Sequence, residues 1–201
     1  MISFIWDLDG TLVDSYEVIL QSLAEAFDFF HLDFDYTSVK QIILEQSVVY
    51  FLTETALKNN LSYDLLKNYF SKLNKAKVDE LTLMVGAEEV LTWTKEKGIQ
   101  NFIYTHKSAT ALTLLKKLNI DHYFAEVITS AAGFQRKPHP EAIDYLITKY
   151  RLKREETYYI GDRPLDHQVA LNSKIQSVNL AVKNSENNSA IDKLADIMDL
   201  F

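Results

Sequence analysis

Residues 6 to 11 read Trp6-Asp7-Leu8-Asp9-Gly10-Thr11, which sets two carboxylates one residue apart just before a glycine. An Asp-Gly pair by itself is a turn signal. The alternative is that the two acids are reactive groups. Three other places in the chain supply groups that would work with them. These are Thr105, with His106, Lys107 and Ser108 after it; Lys137, in Lys137-Pro138-His139-Pro140; and Gly161-Asp162 with Asp166 four residues on. Carboxylates gathered within a few Å raise one another's pKa, so they do not all ionise cheaply. A divalent cation removes that penalty, and ligation by several carboxylate oxygens suits magnesium. A carboxylate can attack a phosphoryl group to form an aspartyl-phosphate. A second one can protonate the leaving oxygen and then deprotonate the attacking water. Thr105 and the helix N-terminus expected after it offer donors to phosphate oxygens, and Lys137 offers a positive point charge.

For these groups to meet, the elements that carry them must end on one rim. Ile2 to Trp6, Phe102 to Tyr104 and Tyr158 to Ile160 are short apolar or aromatic runs that stop at small or polar residues, as buried parallel strands do. Ala125 to Ile128 and Ser177 to Val182 are weaker candidates of the same kind. Helical patterns lie between them at Glu88 to Lys97, Ala109 to Leu118 and Glu141 to Tyr150, with apolar residues three or four apart. Strands alternating with helices predict an α/β fold, a Rossmann-like doubly wound parallel sheet. Ligands of such a sheet bind beyond the carboxyl ends of its strands, and Asp7, Thr105 and Asp162 all stand there.

From Ser15 to Glu80 the rhythm changes to helix alone. Ile19, Leu23 and Phe27 define one helix; Val39, Ile42, Ile43, Val49 and Leu52 predict a second; Leu65, Leu66, Tyr69, Phe70 and Leu73 a third. The predicted organisation is a core of residues 1–14 and 81–201, with an inserted α-helical domain over 15–80. Lys183 to Ser189 is a polar run that reads as a loop before a last helix.

Composition narrows the function. A net charge of -7 argues against nucleic acid or an anionic membrane as partner. A negatively charged substrate must then be held by a local device. The absence of cysteine removes disulfides, thiolate zinc sites and cysteine nucleophiles, and fits a reducing, cytoplasmic setting. The opening apolar run is too short for a signal peptide or a membrane span.

Asp7-Leu8-Asp9-Gly10-Thr11-Leu12-Val13-Asp14 resembles the first motif of the haloacid dehalogenase superfamily, in its phosphoglycolate-phosphatase-like branch. Thr105, Lys137 and the run from Gly161 to Asp166 resemble the second, third and fourth motifs, in the family's order. The resemblance implies a magnesium-dependent phosphatase acting on a small phosphate ester, as a monomer or homodimer, with the helical insertion as a cap. It implies Asp7 as nucleophile, Asp9 as acid and base, and Thr105 and Lys137 as phosphoryl-binding catalytic groups. The metal set it implies is Asp7, Asp9 through its backbone carbonyl, Asp162 and Asp166. His106 stands where many relatives carry Asn, so only its backbone is expected to follow the family in binding substrate. Arg136 and Arg163 are expected as surface or salt-bridge residues, and Asp14 and Ser15 as the hinge, capping the first inserted helix.

A phosphomutase of the β-phosphoglucomutase type is the alternative, since it shares the core by resemblance. It needs a second cationic phosphate site in the cap. From Ser15 to Glu80 there is no arginine and one histidine, His31, and Lys72, Lys75 and Lys77 look solvated. Dehalogenation is disfavoured because Asp9 is present, and by resemblance dehalogenases lack that carboxylate.

Overall fold

A computed structural model describes residues 1–201. The chain runs β1 (Ser3–Trp6), β2 (Val13–Asp14), α1 (Tyr16–Phe29), α2 (Tyr36–Glu45), α3 (Val48–Lys58), α4 (Tyr63–Ala76), β3 (Thr82–Leu83), α5 (Ala87–Glu96), β4 (Gln100–Tyr104), α6 (Thr110–Lys117), β5 (Phe124–Ile128), α7 (Glu141–Tyr150), β6 (Thr157–Gly161), α8 (Pro164–Asn172), β7 (Gln176–Asn179), β8 (Asn188–Ala190) and α9 (Ile197–Leu200). It divides into two compact units, one of Met1–Asp14 with Thr82–Phe201 and one of Ser15–Leu81. No helix is long and apolar enough to cross a membrane.

The larger unit is built on a six-stranded sheet in the order β5-β4-β1-β6-β7-β8, and each neighbouring pair is parallel. β1 is flanked by β4 and β6, so the order of connection reverses on either side of it. That reversal opens a crevice at the carboxyl ends. All four residues of β1 are buried, as expected of a strand covered on both faces. One face packs Ile5, Phe102 and Tyr159 against Ile143 and Leu146 of α7 and Val169 of α8. On β1, Trp6 donates through Nε1 to Asn101 Oδ1 (2.9 Å), and Asn101 donates to Thr94 Oγ1 (2.7 Å). Thr94 passes its own proton to the Leu91 carbonyl (2.6 Å), so this buried polar chain is satisfied along its length.

Two expectations change here. Asn188 and Ser189, read as part of a loop, pair together with Ala190 in parallel with β7 as an edge strand. Their polar composition hides this, because what holds the strand is the buried Asn188 side chain. It accepts from Ser177 Oγ (2.6 Å) and donates to the Val182 and Lys183 carbonyls (2.9 and 3.1 Å). The strand candidate at Ser177 to Val182 stops instead at Asn179, whose Oδ1 accepts from the Ala181 and Val182 amides and turns the chain.

In the helical unit, the single helix expected through Val39 and Leu52 is two. Ser47 ends the first run and caps α3 by accepting from the Tyr50 amide at 3.0 Å, a local bond that competes with helix continuation. Asp35 and Ser62 cap α2 and α4 in the same way. Ser15 occupies the cap position of α1 but makes no such bond. Its backbone, at φ -121° and ψ -15°, lacks the extended shape that aims a capping oxygen along the helix. Ile19, Leu23, Phe27, Val39, Ile43, Leu52 and Leu66 form this unit's core. Val49 and Leu65, which belong to the same helical patterns, are exposed. Lys77, expected to be solvated, is ion-paired to Glu25 at 3.0 Å.

Candidate active site

The carboxyl ends of β1, β4 and β6 each deliver one of the site residues expected from the sequence. The sheet's hydrogen bonding runs past the last strand residues: Asp7 donates its amide to Ile160 O (2.9 Å) and Thr105 to Ile128 O (3.0 Å). Asp7 and Thr105 are therefore fixed by backbone pairing as well as by packing, and both are buried. At the end of β6, Gly161 leads to Asp162 and into α8. An ideal Cβ on Gly161 would lie 2.3 Å from Asp166 Cβ and 2.6 Å from its Oδ2. Glycine is thus required for closeness of approach. Gly161→Ala is expected to push Asp166 out of place and to lower stability by about 1–3 kcal/mol. Urea unfolding checks this, and a variant as stable as the parent would count against the packing argument.

Lys137 comes from the loop before α7 and is buried among these acids. Its Nζ lies 2.7 Å from Asp7 Oδ1 and 2.9 Å from Asp166 Oδ1. Burial pulls the Lys137 pKa down, but the charges of Asp166 and Asp7 more than reverse it, so the ammonium form is favoured. Burial drives Asp166 upward; Lys137 opposes this, and the neighbouring Asp7 charge adds to it. The pair of carboxylates shares one buried ammonium and keeps an excess of negative charge. Asp7, Asp162 and Asp166 offer carboxylate oxygens within 4.8 Å of one another. Asp7 Oδ2 is buried and has no hydrogen-bond partner.

Asp9 does not join that trio. Its Oδ1 accepts from Lys107 Nζ at 2.9 Å. Thr11 donates to Asp162 Oδ1 (3.0 Å) and ties the turn after β1 to the end of β6. Asp166 is also a helix-capping residue, since its Oδ2 accepts from the Arg163 amide at 3.2 Å in the first turn of α8. The helix expected after Thr105, from Ala109, begins at Thr110. In the turn before it, Thr105 Oγ1 accepts from the Lys107 amide (3.1 Å), which leaves its hydroxyl proton available.

A sequence model of the haloacid dehalogenase-like hydrolases matches residues 4–180. The chain belongs to that family. Among the relatives of this hydrolase, a phosphoglycolate phosphatase of Aliivibrio fischeri is 28% identical over 82% of this chain and 77% of its own. A pyrophosphatase PpaX of Listeria monocytogenes is 24% identical over 89% of this chain and 82% of its own. The core domain of a Streptococcus pneumoniae TIGR4 protein carrying a provisional phosphoglycolate phosphatase name is 36% identical. It covers 100% of this chain and 94% of that one, with a TM-score of 0.60. The protein is a hydrolase of the phosphatase kind.

Several residues of this hydrolase's site carried little weight in the sequence. Lys107 sits at the end of β4, and that position was its one signal. Arg163, expected as a surface or salt-bridge residue, is the latter, with its guanidinium Nη2 3.8 Å from Asp7 Oδ2. Arg136 is exposed, as expected. His106 accepts at Nε2 from the Lys137 amide (2.9 Å), which assigns its proton to Nδ1 and makes it a brace for the Lys137 loop.

Burial, and then the positive fields of Lys137, Arg136 and Arg163, hold the His106 pKa down to about 2. The folded state therefore favours the neutral ring. Its contribution to stability is fully present above the ordinary value of 6.5 and declines as pH falls toward about 2. The expected slope from this group is about 1.4 kcal/mol per pH unit. Unfolding free energies for the parent and His106→Gln between pH 4.5 and 7 check this. The parent should lose more on acidification, by about that slope.

Proposed function

We propose that this hydrolase is a magnesium-dependent phosphatase of small phosphorylated metabolites, phosphoglycolate-phosphatase-like, working through an aspartyl-phosphate on Asp7. The observation that carries it is the pairing of Lys137 with Asp7 and Asp166, which leaves Asp7 Oδ2 without a hydrogen bond beside Asp162. An all-oxygen, net-negative cluster with an orphaned buried oxygen fits a small hard cation. Asp7, Asp162 and Asp166 would hold it through their side chains. Asp9, whose carboxylate is engaged by Lys107, would take part only through its backbone carbonyl. Bound there, magnesium would neutralise the cluster and polarise the phosphoryl group.

The protein's own groups divide the work. Lys137 fixes Asp7 through Oδ1 while the other oxygen stays open. An Asp7 oxygen bonds to phosphorus as the bond to the leaving alkoxide breaks, and Asp9 gives that alkoxide its proton. Asp9 then takes a proton from water as the water attacks phosphorus, and Asp7 is released with inorganic phosphate. Thr105 donates its hydroxyl to a phosphoryl oxygen, and His106 braces Lys137 from behind. The helical insertion is proposed as the cap that sets substrate choice. With Lys77 neutralised by Glu25, that unit has one fewer cation for the second phosphate a mutase would need. A cytoplasmic monomer or homodimer completes the reading.

Phosphate release from a panel including phosphoglycolate, sugar phosphates, nucleoside monophosphates and pyrophosphate, with magnesium and with chelator, tests this. Release that depends on magnesium is expected. No release from any ester refutes the phosphatase reading, and release undiminished by chelator refutes the metal.

A further inference from the structure

We propose that Arg163 is a further catalytic residue, whose guanidinium grips a phosphoryl oxygen lodged between it and Asp7. The inference rests on the phosphatase reading above.

The root of Arg163 is unusually well fastened for a residue in a polar loop. Its amide donates to Asp166 Oδ2 (3.2 Å), and its carbonyl accepts from Asn179 Nδ2 (3.0 Å). Asn179 is buried and is itself held by the Ala181 and Val182 amides. Pro164, the next residue, opens α8. With its backbone pinned by β7 and α8, the side chain turns inward and is 12% exposed.

What it faces decides the assignment. Nη2 stands 3.8 Å from Asp7 Oδ2, beyond hydrogen-bond distance, and that oxygen has no hydrogen bond. Lys137 behaves differently, bonding Asp7 Oδ1 at 2.7 Å and Asp166 at 2.9 Å with its side chain completely buried. Lys137 is therefore spent on the carboxylates, and Lys107 is engaged by Asp9. Arg163 brings positive charge to the open oxygen of Asp7 without saturating it.

The chemistry needs such a group. The chain carries a net charge of -7 and gathers Asp7, Asp162 and Asp166 at the point where a phosphate dianion must arrive. Charge in phosphoryl transfer spreads over the equatorial oxygens, so catalysis is mostly positioning and charge stabilisation. A guanidinium presents donors in a planar fork that matches phosphoryl oxygens, which an ammonium does not.

The test compares the parent with Arg163→Met and Arg163→Lys at saturating magnesium. The substrate is para-nitrophenyl phosphate, and inorganic vanadate serves as the transition-state mimic. Arg163→Met should lower kcat by about 100-fold and weaken vanadate inhibition by a similar factor. The magnesium concentration for half-activation and the melting temperature should stay near the parent's. Arg163→Lys keeps a charge but loses the fork, so it should fall by about tenfold and serves if the Met variant fails to fold. A folded variant of either kind with parental kcat and vanadate inhibition overturns the proposal. So does a variant that changes only the magnesium requirement, which would make Arg163 a counter-charge for the carboxylates. A parent enzyme that hydrolyses no phosphate ester and binds no vanadate overturns the phosphatase reading itself.

Discussion

Asp7→Asn is expected to lower turnover by about 10⁴-fold or more while leaving the fold intact. The amide has nearly the shape of the carboxylate but is not a nucleophile, so the proposed aspartyl-phosphate cannot form. Stability has an unusual sign here. Asp7 is buried and shares Lys137 with Asp166, and Asp162 lies close by. Removing one charge from this excess of carboxylates relieves repulsion as well as losing an attraction. Without magnesium, the variant should therefore unfold at or above the parent's midpoint. Steady-state kinetics and rapid acid quenching with labelled substrate check the catalytic half. The parent should trap label on the protein and the variant should not. Trapped label in Asp7→Asn would move the nucleophile elsewhere.

Lys137→Ala is the larger structural perturbation. Losing the ammonium leaves Asp7 and Asp166, both buried, facing one another without their hydrogen-bonded counter-ion. Breaking a buried pair from one side costs about 3–5 kcal/mol. A cation bound by the same carboxylates would restore part of that, so the loss should shrink when magnesium is added. Urea unfolding of parent and variant, each in chelator and in magnesium, reads both effects. A cost under about 1 kcal/mol in chelator, or one that magnesium leaves unchanged, would show that the acids do not form one electrostatic unit with Lys137. Activity should be lost in either solution, because Asp7 is no longer held.

These outcomes separate roles that the linear chain presents side by side. Asp7 and Asp9 are one residue apart, yet they face different partners. Asp7 is held by Lys137, a loop residue far along the chain, and Asp9 by Lys107 at the end of β4. Asp166 is both a member of the carboxylate cluster and a capping residue of α8. Its place is possible because Gly161 presents no side chain where Asp166 sits.

The sequence by itself determined the parallel α/β core, the order of its strands along the chain and the acids at their ends. Apolar runs that stop at polar residues, and helical spacing between them, are local signals, and catalytic side chains in this fold sit at strand ends. The helical character of residues 15–80 was legible for the same reason. Only the tertiary structure decided which groups pair. That Arg163 turns inward, that His106 braces Lys137, and that Lys107 engages Asp9 depend on which loops the strand order β4-β1-β6 brings together. The edge strand at Asn188 and the break at Ser47 were likewise settled by side-chain hydrogen bonds, three at Asn188 and one at Ser47. Periodicity cannot register those, because they depend on particular polar atoms finding particular partners.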